Sequence, residues 1–294
     1  MTNTDLRTTT VGTAAPSRRR PNLSQKEMRG RWWRFAVMAA ITALALIPIG
    51  AVVVLSLRPS LGSTTTSAVT LENFVTIFRE TDVRLWLENS LMVSAVTVAI
   101  ALVVAAPAGY VLSRGRGKLV SGFSLALFIV QSLPLVTAVI PLFILFAELG
   151  LVDTLSGVTI VYVGMTMSVA IWMMAAYYDS IPINLEEAAW LDGCTVFGGF
   201  VRIVLRNSPP GVLSTAIFSF LLSWNDYLVA LVFLRSDFVY TLPVGLQSFF
   251  QQNATNWGLV MAIAVVMMLP PVLLFSVLNK YFSIGGIGGS LAGQ

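Results

Sequence analysis

The 294-residue chain has no histidine and a single cysteine, Cys194. These absences exclude an intramolecular disulfide framework, histidine-based catalysis and a His/Cys metal centre, so neither a catalytic set nor a metal or cofactor site is expected. Charge is also scarce. Only 11% of residues are charged, against about a quarter in soluble globular proteins. Phosphate-binding signatures are missing as well. Lys118 is followed by Leu119 and has no glycine at the required upstream position, and the glycine-rich stretch from Gly285 has no strand before it and no helix pattern after it. The chain therefore holds no nucleotide of its own.

What fills the sequence instead is apolar. It is 56% hydrophobic, with a mean hydropathy of +0.81. Several uncharged runs are each long enough to cross a bilayer, which excludes a soluble enzyme. The reading is an all-α membrane protein with about six transmembrane helices, over 35–57, 89–113, 119–146, 154–178, 212–234 and 257–279. Trp32, Trp33 and Arg34 anchor the first run at the interface. Pro48 and Gly50 predict a kink within it. Residues 71–78 read as a short amphipathic helix on the outer surface. Residues 1–31 form a polar, disordered cytoplasmic tail, 32–282 the membrane domain, and 283–294 a second cytoplasmic tail.

The basic residues fix the orientation. All of them except Arg58, Arg79, Arg84 and Arg235 fall on one side of this topology. That asymmetry places both termini in the cytoplasm of a multi-pass protein of the cell membrane. It also accounts for the pI of about 9.5 without a nucleic-acid partner. The triplet Arg18-Arg19-Arg20 reads as a topology-setting charge cluster, with contact to anionic membrane lipid as the alternative.

One polar interruption, 182–210, has the grammar of two short helices joined by a tight turn. Asn184 is expected to cap the first helix, with Glu187 as its capping-box partner. Gly193 takes the left-handed position after that helix, and Thr195 caps the second. Pro209-Pro210-Gly211 then ends the segment. As an ordinary solvated loop it would need no more than these caps.

The segment nevertheless resembles the EAA loop of ATP-binding-cassette (ABC) importer permeases. Glu187-Ala188-Ala189 is followed at the family spacing by Gly193, Ile203 and Leu205, and Arg206 stands where the family has Pro. The resemblance implies that Glu186, Glu187, Ala188, Ala189, Asp192 and Gly193 form a coupling helix. That helix docks in a groove of a partner ATPase, with its carboxylates pairing to basic groups there.

A second candidate lies in the fifth run. Trp224, Asn225, Asp226 and Tyr227 combine aromatic faces suited to sugar rings with oxygens suited to hydroxyls. An ionisable group within a span is a functional candidate by default. Consecutive helical positions lie about 100° apart, so at most half of the four can line one path. The bland alternative is an interfacial aromatic pair with Asp226 ending the apolar stretch. Gln131, beside Ser132 and Pro134, is a candidate for the solute path or for helix–helix hydrogen bonding.

The run 224–227, the stretch 240–246 and the glycine-rich tail resemble maltose-type carbohydrate permeases, from about residue 33 onward. This implies a heterodimer with a second permease subunit, two ATPase subunits and an extracytoplasmic solute-binding protein, with a sugar as cargo. The same architecture carrying a glycerophosphodiester or another non-sugar solute stays open. So does an ion-coupled secondary transporter working through Asp226.

Overall fold

The computed structural model describes residues 25–59, 68–250 and 255–291. Residues 1–24 of the expected tail, with the arginine triplet, lie outside the described residues, as do 251–254 in the polar outer run and 292–294 at the C-terminus. The described residues are helical and contain no strand.

The elements are α1 (Gln25–Ser56), α2 (Glu72–Arg79), α3 (Val83–Arg114), α4 (Lys118–Ser132), α5 (Leu135–Glu148), α6 (Leu155–Asp179), α7 (Asn184–Leu191), α8 (Val196–Gly199), α9 (Pro209–Asn225), α10 (Leu228–Phe233), α11 (Leu242–Gln247) and α12 (Trp257–Leu291). Packing divides the chain at Gly50 into two units. The first contains the start of α1. The packing described below is that of the second, 51–294.

Two helix boundaries differ from the sequence reading. Helix α1 begins at Gln25, inside the expected tail, and its backbone continues through Pro48. Helix α12 runs to Leu291, through most of the expected C-terminal tail. Among the described residues, four helices are long and apolar enough to cross a membrane, and a fifth span results if α4 and α5 count as one. That pair is bent by 99°, where one run over 119–146 is expected. The break falls at Leu133-Pro134. Proline cannot donate the next ladder bond, and it pushes the residue before it out of the helical region. Leu133 is accordingly extended, with ψ 125°. The expected fifth span is also divided, into the 17 residues of α9 and the 6 of α10.

Helices α3 and α6 touch backbone to backbone. A Cβ on Gly109 would lie 2.7 Å from Met174 Cβ and 3.0 Å from Ala175 N, so only glycine permits this approach. One buried apolar cluster joins α5, α6 and α10 through Phe146, Val158, Tyr162 and Phe233. A second lies at the α7 end, built on Tyr110, Met174, Tyr178, Phe200 and Val204. A third, around Ile77, Trp86, Trp224, Leu242 and Ile263, ties α2, α9 and α12 to the start of α3.

Several hydroxyls within this apolar body bond back to their own helices. Thr166 Oγ1 donates to Tyr162 O, Thr215 Oγ1 to Gly211 O, and Ser223 Oγ to Ser219 O. Such back-bonding lets hydroxyls sit where water cannot reach.

At the end of the bundle opposite α7, the segment after α10 lies down on α3. Trp86 Nε1 donates to Asp237 O at 2.8 Å, Asn89 Nδ2 to Tyr240 O at 2.9 Å, and Leu242 N to Ser90 Oγ at 2.7 Å. Helix α11, absent from the sequence reading, is thereby seated. Asp153 makes a second clasp there. Its backbone is left-handed, φ 59°, and its N–H donates to Phe233 O. Its carboxylate accepts from Arg235 N at 2.8 Å, from Ser236 N at 2.9 Å and from the Ser236 hydroxyl. Partial burial pushes its pKa up, but those donors and the Arg235 charge outweigh it and hold the carboxyl below its ordinary value.

Candidate functional site

The segment between α6 and α9 has the predicted two-helix form, with one difference at its start. Ile183, in helical conformation, is the N-cap of α7 and makes no side-chain cap. Asn184 lies inside the helix, so the expected capping box does not form. The first free N–H groups are taken up by backbone instead. Leu185 N donates to Pro182 O, and Glu186 N and Glu187 N both donate to Ile183 O.

The end of α7 is as expected. Gly193 N bonds to Trp190 O and Cys194 N to Ala189 O, the paired contacts of a Schellman motif. Gly193 has φ +87° with open space around its Cβ position, so the backbone conformation alone demands glycine. Thr195 Oγ1 accepts from Gly198 N at 3.0 Å, capping α8. Beyond Gly199 the helix widens into a π turn over Phe200–Val204 and tightens to a 3₁₀ turn over Leu205–Asn207. The chain then enters α9 at Pro209. Arg206 therefore sits in a turn that ends without proline, and Pro209 makes the stop three residues later.

Glu186 and Glu187, about 100° apart on α7, have opposite environments. Glu187, Ala188 and Asp192 are exposed, and Leu191 is 90% exposed. Glu186 is 0% exposed and Ala189 is buried beside it. Glu186 is expected from the sequence to face a partner; instead it turns into the protein. Its Oε1 accepts from Arg114 Nε at 2.7 Å and its Oε2 from the Tyr110 hydroxyl at 2.7 Å. Arg114 Nη2 donates to Ile181 O at 2.9 Å and Nη1 to Ser113 Oγ at 3.2 Å. Ser113 Oγ in turn donates to Asp179 Oδ1 at 2.5 Å. The Tyr110 ring packs 4.8 Å from Phe200 and 6.3 Å from Tyr178. The ends of α3 and α6, α7 and the turn after α8 thus meet at one carboxylate.

The second candidate set is split up by the break between α9 and α10. Trp224 is 1% exposed. It donates from Nε1 to Met267 O at 3.1 Å and stacks on Phe220, so it is core. Asp226 leaves the helix in extended conformation. Its Oδ2 accepts from the Tyr162 hydroxyl at 2.8 Å, from Val229 N at 3.0 Å and from Ala230 N at 3.2 Å. These bonds cap α10 and fix it to α6. Tyr227 is half-buried against the α5–α6–α10 cluster. Asn225 is exposed, its Nδ2 donating to Leu221 O. Because the chain departs from a helix at Asp226, helical-face arithmetic does not apply across the four residues.

Gln131 lines a cleft of about 390 Å³ between α4 and α6, with Phe128, Ser168, Trp172 and Met173. A neighbouring cleft of about 540 Å³ shares Phe128 and Trp172 and opens toward Arg116, Ser121 and Ser124.

The family model for "Binding-protein-dependent transport system inner membrane component" matches residues 105–283, which include the whole α6–α9 segment and both breaks. The chain belongs to this family of ABC importer permeases. Among its relatives, the inner membrane ABC transporter permease protein YcjP of Escherichia coli is 33% identical over 226 residues, covering 76% of the permease and 81% of that protein. The arabinooligosaccharides transport system permease protein AraQ of Halalkalibacterium halodurans is 32% identical, covering 88% and 96%. The trehalose transport system permease protein SugB of Mycobacterium tuberculosis is 30% identical, covering 90% and 98%. In fold, the permease matches the crystal structure of a bacterial ABC transporter involved in the import of the acidic polysaccharide alginate. The TM-score is 0.74 at 20% identity, over 90% of the permease and all of that chain.

Sequence reasoning missed Arg114 and Tyr110. Arg114 counts there only as one charge among many, and Tyr110 has no mark at all. The one available signal is that Arg114 closes the uncharged run 89–113. Trp172, on α6, lines both of the clefts described above.

Proposed function

We propose that the permease couples ATP hydrolysis on partner ATPase subunits to import of a carbohydrate or related solute, with the exposed face of α7 as the docking element. The observation that carries this reading is the split of α7. Glu187, Ala188, Asp192 and Leu191 are presented outward, while Glu186 and Ala189 are anchored inward. Exposed leucine beside exposed carboxylate, extended by Val196 and Phe197 on the next helix, suits a partner groove with an apolar floor and basic rim. By the asymmetry of basic residues this end of the bundle is cytoplasmic, with both termini on the same side.

On this reading the permease pairs with a second permease subunit and two ATPase subunits, and receives solute from an extracytoplasmic binding protein. Closure of the ATPase dimer moves α7, and the bundle switches access. The cleft of Gln131, Phe128 and Trp172 offers an amide and aromatic faces to solute, a suitable lining for a sugar. Relatives named for arabinooligosaccharides, trehalose and sulfoquinovosyl glycerol support a sugar or sugar ester as cargo. Asp226 contributes structure rather than ion coupling, since its carboxylate is engaged by three donors.

The test is purification of the permease from its native membrane, followed by ATP-driven uptake of a panel of sugars into vesicles. Recovery of an ATPase subunit with the permease and ATP-dependent uptake of one sugar support the proposal. Isolation of the permease alone, moving solute without ATP, overturns it.

A further inference from the structure

The proposed docking of α7 leaves open how a push on an eight-residue helix reaches the spans. The link between α6 and α7 is short, 180–183, and would bend if nothing else held α7. The network around Glu186 is what holds it.

We infer that Arg114 and Tyr110 are positioning residues for energy coupling. By gripping Glu186 they fasten α7 to α3 and α6, so that a displacement of α7 is delivered to both spans rather than absorbed in the linker. This inference rests on the coupling reading above.

The geometry is that of a joint without slack. Both oxygens of a fully buried carboxylate are engaged, one by Arg114 Nε and one by the Tyr110 hydroxyl, each at 2.7 Å. The guanidinium also holds the linker itself, through Ile181 O at 2.9 Å. Through Ser113 it reaches Asp179 on the last turn of α6. One turn above, Gly109 lets α3 and α6 meet at backbone distance, which leaves no room for one to slide past the other. Moving α7 relative to α3 would strand a buried carboxylate and a guanidinium with 15% side-chain exposure, and separating such a pair is strongly unfavourable. The adjacent acids on α7 therefore have separate work: Glu187 faces the partner, and Glu186 ties the contact to the membrane helices.

The test uses the assembled complex in lipid nanodiscs. One nitroxide is placed on the native Cys194, next to the end of α7, and one on Val103→Cys in the middle of α3, which is 74% exposed. The distance between them is measured by pulsed electron resonance without nucleotide and after trapping with ATP and vanadate. With Glu186 and Arg114 intact, one narrow distribution with the same mean in both states is expected. Glu186→Ala or Glu186→Gln is expected to broaden the distribution and shift it on trapping. The exchange Glu186→Arg with Arg114→Glu is expected to restore the narrow peak. A shift of the distance with the pair intact, or an unchanged narrow peak in the Glu186 variants, overturns the inference while leaving the coupling reading in place. Failure of any ATPase subunit to assemble with the unmutated permease overturns both.

Discussion

The Glu186 carboxylate meets the Arg114 guanidinium at 2.7 Å across 72 residues of chain, and it does so on the helix whose next residue, Glu187, faces outward. This pairing divides the effects of mutation cleanly. Glu186→Ala leaves the Arg114 guanidinium, with 15% side-chain exposure, without its carboxylate, a loss of up to about 3–5 kcal/mol, the range for breaking a buried pair. Thermal unfolding in detergent should show a marked drop for Glu186→Ala and none for Glu187→Ala. Recovery of the ATPase subunit should show the reverse order of sensitivity.

Gly193 is a second discriminating position. Its φ of +87° costs a residue with a Cβ about 1 kcal/mol, and the space around it is open. Gly193→Ala should therefore be a mild lesion, Gly193→Asn milder still, and Gly193→Val the worst. Melting temperatures should fall in the order Gly193→Asn, Gly193→Ala, Gly193→Val. Losses that follow side-chain size, with Asn worse than Ala, would point to a packing role instead.

Asp153 gives a pH signature. Its carboxyl is held below its ordinary value by Ser236 and the backbone of Arg235, so the folded form favours the charged state. The stability it contributes is present above the unfolded pKa of about 3.9 and is lost as pH falls through the lower folded value. Asp153→Asn keeps a residue that tolerates the left-handed backbone but loses the charge. The melting-temperature gap between the native chain and this variant should be constant from neutral pH to about pH 5 and close below about pH 4.

Asp226 tests the ion-coupled alternative. Because it caps α10, Asp226→Ala should destabilise by about 1–2 kcal/mol, as loss of an N-cap does. Asp226→Asn, which keeps an oxygen acceptor, should cost less. In neither variant should uptake acquire or lose sensitivity to a proton ionophore. An uptake rate that follows the ion gradient and is abolished by Asp226→Asn would contradict the assignment.

Much of this was legible in the sequence. Four of the six expected runs lie on helices long and apolar enough to cross a bilayer, because that test asks for length and apolarity alone, and Gly193 and Thr195 marked their turn because φ and capping chemistry are local. Failures came where tertiary contacts decide. Glu186 and Glu187 are chemically identical in sequence, and only the position of Arg114 on another helix makes one of them internal. Asn184 lost its capping role because Ile183 already begins a helical turn and backbone carbonyls satisfy the first donors. Trp224 and Asp226 read as a sugar site because nothing local shows Met267 O and Tyr162 waiting for them.

The most direct test of the central claim is Glu187→Lys in the assembled transporter, with uptake and ATPase recovery read from the same membranes. The account predicts normal insertion, loss of the ATPase subunit on purification and loss of ATP-driven uptake. Uptake and ATPase recovery at the native level from a correctly inserted Glu187→Lys permease would contradict it.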